Sequence, residues 1–438
     1  MVNGSKSARG DGDIVALLDI GTTKVCCLIA RIDGRPGDRQ LGRQPMGIAS
    51  TRGGHRLVRV LGFGHQRSRG IKSGVVINLD EAEQAVRAAV SQAERMAGFN
   101  IEEVVLSINC GRLKSLNFKA GIQLDGRAAT PSDVGRIMAA GRTYAERDGR
   151  SLVHLNKIGF QLDGMYQMPD PCGMAGRRLD ADLHAVTADE APLRNLLLVV
   201  ERSYLSVSAI VAGPFATGLA ATTEDERRLG VTVIDMGGGT TTVALFADGQ
   251  FLQTDAVAVG GSHITYDIAR TLSTPLAEAE RIKTLYGNIY GAGSDEHEVI
   301  SLVGAGGEAG QQATRAQLRM IIQPRAEQLL RLLGERIGQN RLSPYASGRI
   351  VLTGGASQLA GLGELAANML GRATRIGRPA PLQGLPQGVC SPAFSTIIGL
   401  VQSLFVPDAC VRATADRDVL GAPDGYLERV GQWFRESF

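Results

Sequence analysis

Two short turns, far apart along the chain, constrain this sequence more than anything else in it. Residues 14–31, IVALLDIGTTKVCCLIAR, read as a β-strand, a tight turn holding Asp19, Gly21, Thr22, Thr23 and Lys24, and a second strand. Residues 231–251, VTVIDMGGGTTTVALFADGQF, repeat the plan with Asp235, Gly237, Gly238, Gly239 and Thr240 at the turn. An apolar β-branched run, an aspartate, a glycine turn and another apolar run, used twice, is an internal duplication.

Each part of this device has a reason in phosphate chemistry. Glycines bring backbone N–H groups close to phosphate oxygens, and threonine hydroxyls add donors, so the turn forms an anion-binding concavity. Asp19 and Asp235, at the ends of the first strands, suit Mg²⁺ held through its waters, because that ion keeps much of its hydration shell. Lys24 supplies positive charge directly. A single Asp-x-Gly between strands is ordinarily just a turn; two related copies can grip one nucleotide tail from both sides. A third element, RIVLTGGASQLAGLGELA (349–366), reads as an apolar strand, Gly354 and Gly355, then a helix, with the glycines letting backbone lie against adenine and ribose.

A chain of 438 residues exceeds what one hydrophobic core organises, so two or more domains are expected. With 47 Lys and Arg against 44 Asp and Glu, evenly spread, the formal charge of +3 argues against a nucleic-acid partner. The six cysteines form no CxxC pair and read as reduced and structural. The polar start MVNGSKSARGDGD lacks the apolar core of a secretory signal, and no run of 18 apolar residues occurs, so a cytosolic protein is expected.

These motifs resemble the actin, Hsp70 and sugar-kinase superfamily. Within it, GHQRSRGIKSGVVINLDEAEQAVRAAVSQAE (64–94), GPFATGLAATTEDERRLGVTVIDMGGGTTTVALF (213–246), GGSHITYDIA (260–269) and the C-terminal tail are similar to the FtsA family of bacterial cell-division proteins. The resemblance implies an α/β, actin-like two-lobed fold of duplicated doubly wound domains 1A and 2A, with subdomains 1C and 2B. The expected division is a disordered start (1–13), 1A (14–98), 1C (99–182), the rest of 1A with a connecting helix (183–229), and 2A (230–270). Then come 2B (271–345), the rest of 2A with a return helix (346–405), a linker (406–424) and a terminal helix (425–438). The resemblance also implies ATP and Mg²⁺ as ligands and Glu280 and Lys283 facing the ribose and adenine. As partners it implies FtsZ (with 2B the contact), other division proteins, further copies in filaments, and the cytoplasmic side of the membrane at the division site. Glu280 and Lys283 read equally well as solvated helix charges. A PilM-like pilus-assembly adaptor and a small-molecule kinase of the same superfamily remain alternatives. Segment 37–56, rich in Gly and Arg, reads as an exposed loop.

Hydrolysis in this superfamily needs a group that orients water at the γ-phosphate. In SAIVAGPFATGLAA, Ala212 and Gly213 precede Pro214, and neither can do so, which predicts a slow ATPase at most. The tail GYLERVGQWFRESF (425–438) places Tyr426, Leu427, Val430, Trp433, Phe434 and Phe438 within an arc of roughly 140° at helical spacing. That face suits a membrane interface; docking on its own domain is the other reading.

Overall fold

The computed structural model describes residues 13–33, 48–51, 54–164, 167–291, 293, 297–304, 309–338, 348–406 and 411–412. The terminal helix expected over 425–438 lies outside the described residues, as do most of the linker and the start of the chain.

The chain opens with β1 (Asp13–Ile20) and β2 (Lys24–Asp33), paired antiparallel from Asp13↔Ile32 to Ile20↔Val25. Next, β3 (Ile48–Thr51) and β4 (Gly54–Arg67) extend the meander, β4 lying against β2. Part of the segment expected to be loop over 37–56 is therefore strand: its composition reads as loop, yet its backbone finds a ladder at the sheet edge. A tight hairpin of β5 (Ile71–Lys72) and β6 (Val75–Val76) leads into α1 (Leu79–Ala97). The side chain of Asn78 caps this helix by accepting from the N–H groups of Asp80 and Glu81, and left-handed Gly98 ends it. Strand β7 (Glu103–Ile108) then runs parallel to β1.

A separate α+β body follows. It contains β8 (Lys114–Gln123), α2 (Pro131–Ala145), β9 (Arg150–Leu162) and β10 (Arg178–Asp189), with sheet order β8-β10-β9 and a core of its own. The chain returns through α3 (Glu190–Arg202) to β11 (Ser206–Ala212), parallel to β7, and crosses to the second lobe by α4 (Gly213–Ala221).

The second lobe begins with α5 (Glu224–Leu229), β12 (Val231–Met236), β13 (Thr241–Ala247), β14 (Gln250–Val257) and α6 (Gly261–Thr271). A smaller part comprises α7 (Leu276–Tyr286), the hairpin β15 (Val299–Val303) and β16 (Ala309–Thr314), and α8 (Arg315–Gly338). The lobe closes with β17 (Arg349–Thr353), α9 (Leu362–Leu370) and β18 (Thr374–Ile376). The chain crosses back through α10 (Ser395–Ser403), and β19 (Val411–Arg412) pairs with β11.

The duplication is visible in the sheets. Their orders are β19-β11-β7-β1-β2-β4-β3 and β14-β13-β12-β17-β18. In each, an antiparallel meander built on the first strand gains parallel strands on that strand's other side.

Three expected boundaries need correction. Strand β7 was expected within 1C (99–182), yet it pairs with β1 and β11 in the first sheet, partners remote in sequence. Strand β10 continues past residue 182 to Asp189, because its ladder with β9 extends that far. Residues 411–412, expected in the linker, form the edge strand β19.

The two lobes meet through α4 and α10. Every residue of α4 is buried, and a Cβ built on Gly399 of α10 would lie 1.8 Å from the carbonyl oxygen of Ala216, so the two helices cross at backbone contact. Gly218 is in a similar position, with the Phe246 ring filling the space where its Cβ would be. The α+β body is tied to the second lobe by side chains that bond the backbone of β14. Ser115 donates to the Thr254 carbonyl at 3.1 Å and accepts from its N–H at 2.6 Å, while Asn117 and Asn156 donate to the carbonyls of Leu252 and Phe251. The outer edge of that sheet is thereby covered.

Gly399→Ala is expected to lower the melting temperature, at a cost of about 1–3 kcal/mol for overpacking a backbone contact. An unchanged melting curve would mean that the α4–α10 crossing has room to give.

Candidate functional site

The two turns close in the same way. The N–H of Gly21 donates to the Lys24 carbonyl at 2.9 Å, and the N–H of Gly237 donates to the Thr240 carbonyl at 3.0 Å. A Cβ on Gly21 or Gly237 would come within 3.2 Å or 2.9 Å of that same carbonyl, so both first turn positions are held to glycine by close approach.

The lobes bring these turns into contact across the cleft. Cβ atoms on Gly238 and Gly239 would lie 2.2 Å from Thr23 Cγ2 and 2.5 Å from Thr22 Oγ1, so the second turn is bare where the first carries its threonines. The start of α6 backs the second turn, as Gly261 and Ser262 donate their N–H groups to the carbonyls of Gly237 and Gly238 at 2.9 and 2.8 Å. Gly74, at the tip of the β5–β6 hairpin, donates its N–H to Thr22 Oγ1 at 3.1 Å.

Asp19 is buried and accepts the hydroxyl of Ser107, at the end of β7, at 2.5 Å. Asp235, partly open to the cleft, accepts from Thr217 of α4 at 3.0 Å and from Thr396 of α10 at 3.4 Å. Burial pushes both carboxyls above their ordinary value of 3.8, and the charge of Lys24 pulls them back down. The Lys24 ammonium lies 4.6 Å from the centre of the Phe394 ring and makes no ion pair or hydrogen bond with a described residue. The charge of one lysine thus acts on both carboxyls.

The third element adds a wall of a different kind. Gly354 takes a left-handed φ of 85°, and a Cβ there would meet Asp235 Oδ1 at 2.2 Å, so this glycine serves the carboxylate behind it. Residues 355–358 form a 3₁₀ turn before α9, instead of the helix expected directly after the glycines. Ala356 packs against Gly261. Beside it, Lys283 donates to Glu280 Oε2 at 2.6 Å, to Thr265 Oγ1 at 2.9 Å and to the Gly261 carbonyl at 3.3 Å. Glu280 and Lys283 therefore sit at the second turn's rear wall, paired with each other.

Sequence reasoning missed several residues here: Ser107, Thr217 and Thr396 on the carboxyls, Gly74 on Thr22, Phe394 under Lys24, and Asn109. A Cβ on Gly213 would fall 1.9 Å from Asn109 Oδ1, so an amide side chain occupies the place where the connecting helix alone offers no polar group. These residues come from separate segments, and no local spacing marks them; the lone Gly213 and the pair Gly260–Gly261 were the available signal.

The family model for the cell division protein FtsA matches residues 232–399, and the model for the SHS2 domain inserted in FtsA matches residues 110–187, the span of the α+β body. A cell division protein FtsA from Agrobacterium fabrum is 42% identical over 97% of this chain and 95% of its own length. The chain belongs to the FtsA family of cell division proteins. Solved structures share the fold: that of the PilM–PilN type IV pilus biogenesis complex (TM-score 0.61, 17% identity, covering 90% of this chain and 99% of that one), and that of MreB 5 of Spiroplasma citri bound to AMPPNP (TM-score 0.50, 14% identity, 89% and 95%). The FtsA-family fold here is thus actin-like α/β with an SHS2 insertion. Among the described residues no helix is long and apolar enough to cross a membrane.

Because both folded carboxyl values lie above the unfolded 3.8, their contribution to stability is present below about 3.8 and is lost as pH rises through the raised values. Asp235→Asn removes its share. In the absence of nucleotide, the variant's melting temperature should gain on the wild type as pH rises above about 3.8, and a gap that does not change with pH would contradict a destabilising buried charge.

Proposed function

We propose that this FtsA-family chain binds ATP with Mg²⁺ between its two turns, polymerises into actin-like filaments, and tethers the FtsZ ring to the inner face of the cytoplasmic membrane while helping to recruit other division proteins. The observation that carries the nucleotide reading is the meeting of the two turns, glycine against threonine, with the Lys24 charge acting on both aspartates. MreB 5, of the same fold, is bound to AMPPNP in its structure, which supports the reading.

In this reading Gly21, Thr22, Thr23 and Lys24 hold the phosphates from one lobe, and Gly237, Gly238, Gly239 and Thr240 from the other. Gly354 and Gly355 line the adenosine side, with Glu280 and Lys283 nearby. The two aspartates alone suit a hydrated Mg²⁺ better than a fully dehydrated ion, since among the described residues no third His, Cys, Asp or Glu joins them. When bound, Mg²⁺ supplies charge neutralisation at the phosphates. Asn109 can orient a water molecule but cannot take its proton, so turnover is slow. The subdomain division reads as 1A and 2A for the two large sheets, 1C for the α+β body, and 2B for the part from α7 to α8. The pilus-adaptor alternative rests on fold alone at 17% identity, whereas the 42% identity favours cell division.

Mg-ATP at 100 times its Kd should stabilise the wild type by about 2.7 kcal/mol, and Asp19→Asn or Asp235→Asn should abolish the shift; a full shift in both variants would remove the site. Purified turnover should lie well below the roughly 10 s⁻¹ typical of enzymes.

Residues 425–438 carry the proposed lipid contact through Tyr426, Leu427, Val430, Trp433, Phe434 and Phe438. Trp433 is the sole tryptophan, so vesicles should shift its emission to the blue, and deleting 425–438 should abolish vesicle co-sedimentation while leaving nucleotide binding intact. Co-sedimentation that survives the deletion would place the lipid contact elsewhere.

A further inference from the structure

The nucleotide reading uses the N-terminal half of α4, where Gly213 meets Asn109 and Thr217 meets Asp235. At the other end of this helix lies a cavity of about 710 Å³ that no part of that reading employs. Its walls come from both lobes: the last residues of α4, Phe405 beyond α10, Arg349 of β17 and Arg375 of β18.

The charge of this cavity is unbalanced. Arg227, Arg349, Arg375 and Arg378 line it together with only two acids, Glu224 and Glu226. Both acids are already engaged. Glu224 pairs with Arg228, outside the lining, at 2.7 Å. Glu226 accepts from Nε and Nη2 of Arg375 at 2.8 and 2.5 Å and from the N–H of Thr223 at 2.9 Å, which holds its carboxyl below the usual range.

The other three guanidiniums keep donors to spare. Arg349 reaches Glu226 only at 3.8 Å. Arg227 uses Nη1 alone, on the carbonyls of Leu219 and Thr222 and the Thr222 hydroxyl, and no carboxylate forms an ion pair with it among the described residues. Arg378 makes no hydrogen bond or ion pair with a described residue. Burial lowers the Arg227 pKa against the opposing charges of Glu224 and Glu226.

A concave site with several planar, forked cations and no free carboxylate matches the geometry of phosphate oxygens, which accept two parallel N–H bonds from one guanidinium. Its volume falls in the range of small-ligand sites, roughly 300–1,000 Å³, which favours a compact anion over a length of acidic peptide. We propose that this interlobe cavity is a second anion site, distinct from the cleft, that receives the phosphate group of a small phosphorylated molecule or of a phospholipid headgroup. Val406, on its rim, leads toward the segment that carries the amphipathic sequence, which keeps the headgroup source open.

The test uses the full chain and a double variant, Arg349→Gln with Arg378→Gln. Both side chains are exposed and neither belongs to the cleft, so an unchanged melting temperature verifies the fold. The binding lost in the double variant defines the cavity, whether or not the cleft takes nucleotide. Titration with inorganic phosphate and with pyrophosphate should show saturable binding that weakens at least fivefold in the variant, which assigns a soluble ligand. If free phosphate does not bind, but vesicles of phosphatidylglycerol bind better than vesicles of phosphatidylcholine and the variant loses that excess, the headgroup is assigned. The proposal is overturned if the variant binds all these probes as the wild type does, if none of them binds, or if polyglutamate displaces phosphate at lower concentration, which would make the cavity a peptide site.

Discussion

The arrangement of this molecule depends on one close contact: Gly238 and Gly239 of the second lobe set against Thr23 and Thr22 of the first. Any side chain on either glycine would wedge the turns apart, because the space its Cβ needs is filled by threonine. The same absence of Cβ atoms that leaves backbone N–H groups accessible to an anion lets the two turns approach each other this closely. Glycine therefore answers a chemical demand and a packing demand at once.

Around this contact the structure holds charge where solvent is scarce. Two aspartates, each fixed by hydroxyl donors from neighbouring elements, share a cleft with one lysine that rests on an aromatic ring. Burial disfavours their ionised forms. Membership in a cell-division family and an actin-like fold give that cleft its setting.

Helix α4 links the two polar regions of the seam. It is short and buried at every residue, and it touches the carboxylate cleft through Thr217 and the arginine-lined cavity through its last turn. Its backbone contact with α10 at Gly399 leaves little freedom for one lobe to slide on the other.

Local patterns were legible in the sequence because local physics makes them. Hairpin closure at Gly21 and Gly237 needs only a few adjacent residues, and so do the apolar β-branched runs that mark β1, β2, β12 and β13. From these followed the duplication and the residues of both turns, while the fold class came from the resemblance those motifs carry. What the sequence could not disclose depended on partners far along the chain: that β7 belongs to the first sheet, that Ser107, Thr217 and Thr396 hold the carboxylates, and that Asn109 lies against Gly213. Gly354 shows the limit well, since its neighbourhood in sequence pointed to a ligand while the folded chain shows Asp235 behind it. Parallel strand pairing and interlobe contact carry no short-range signature, so tertiary structure alone decided which groups meet.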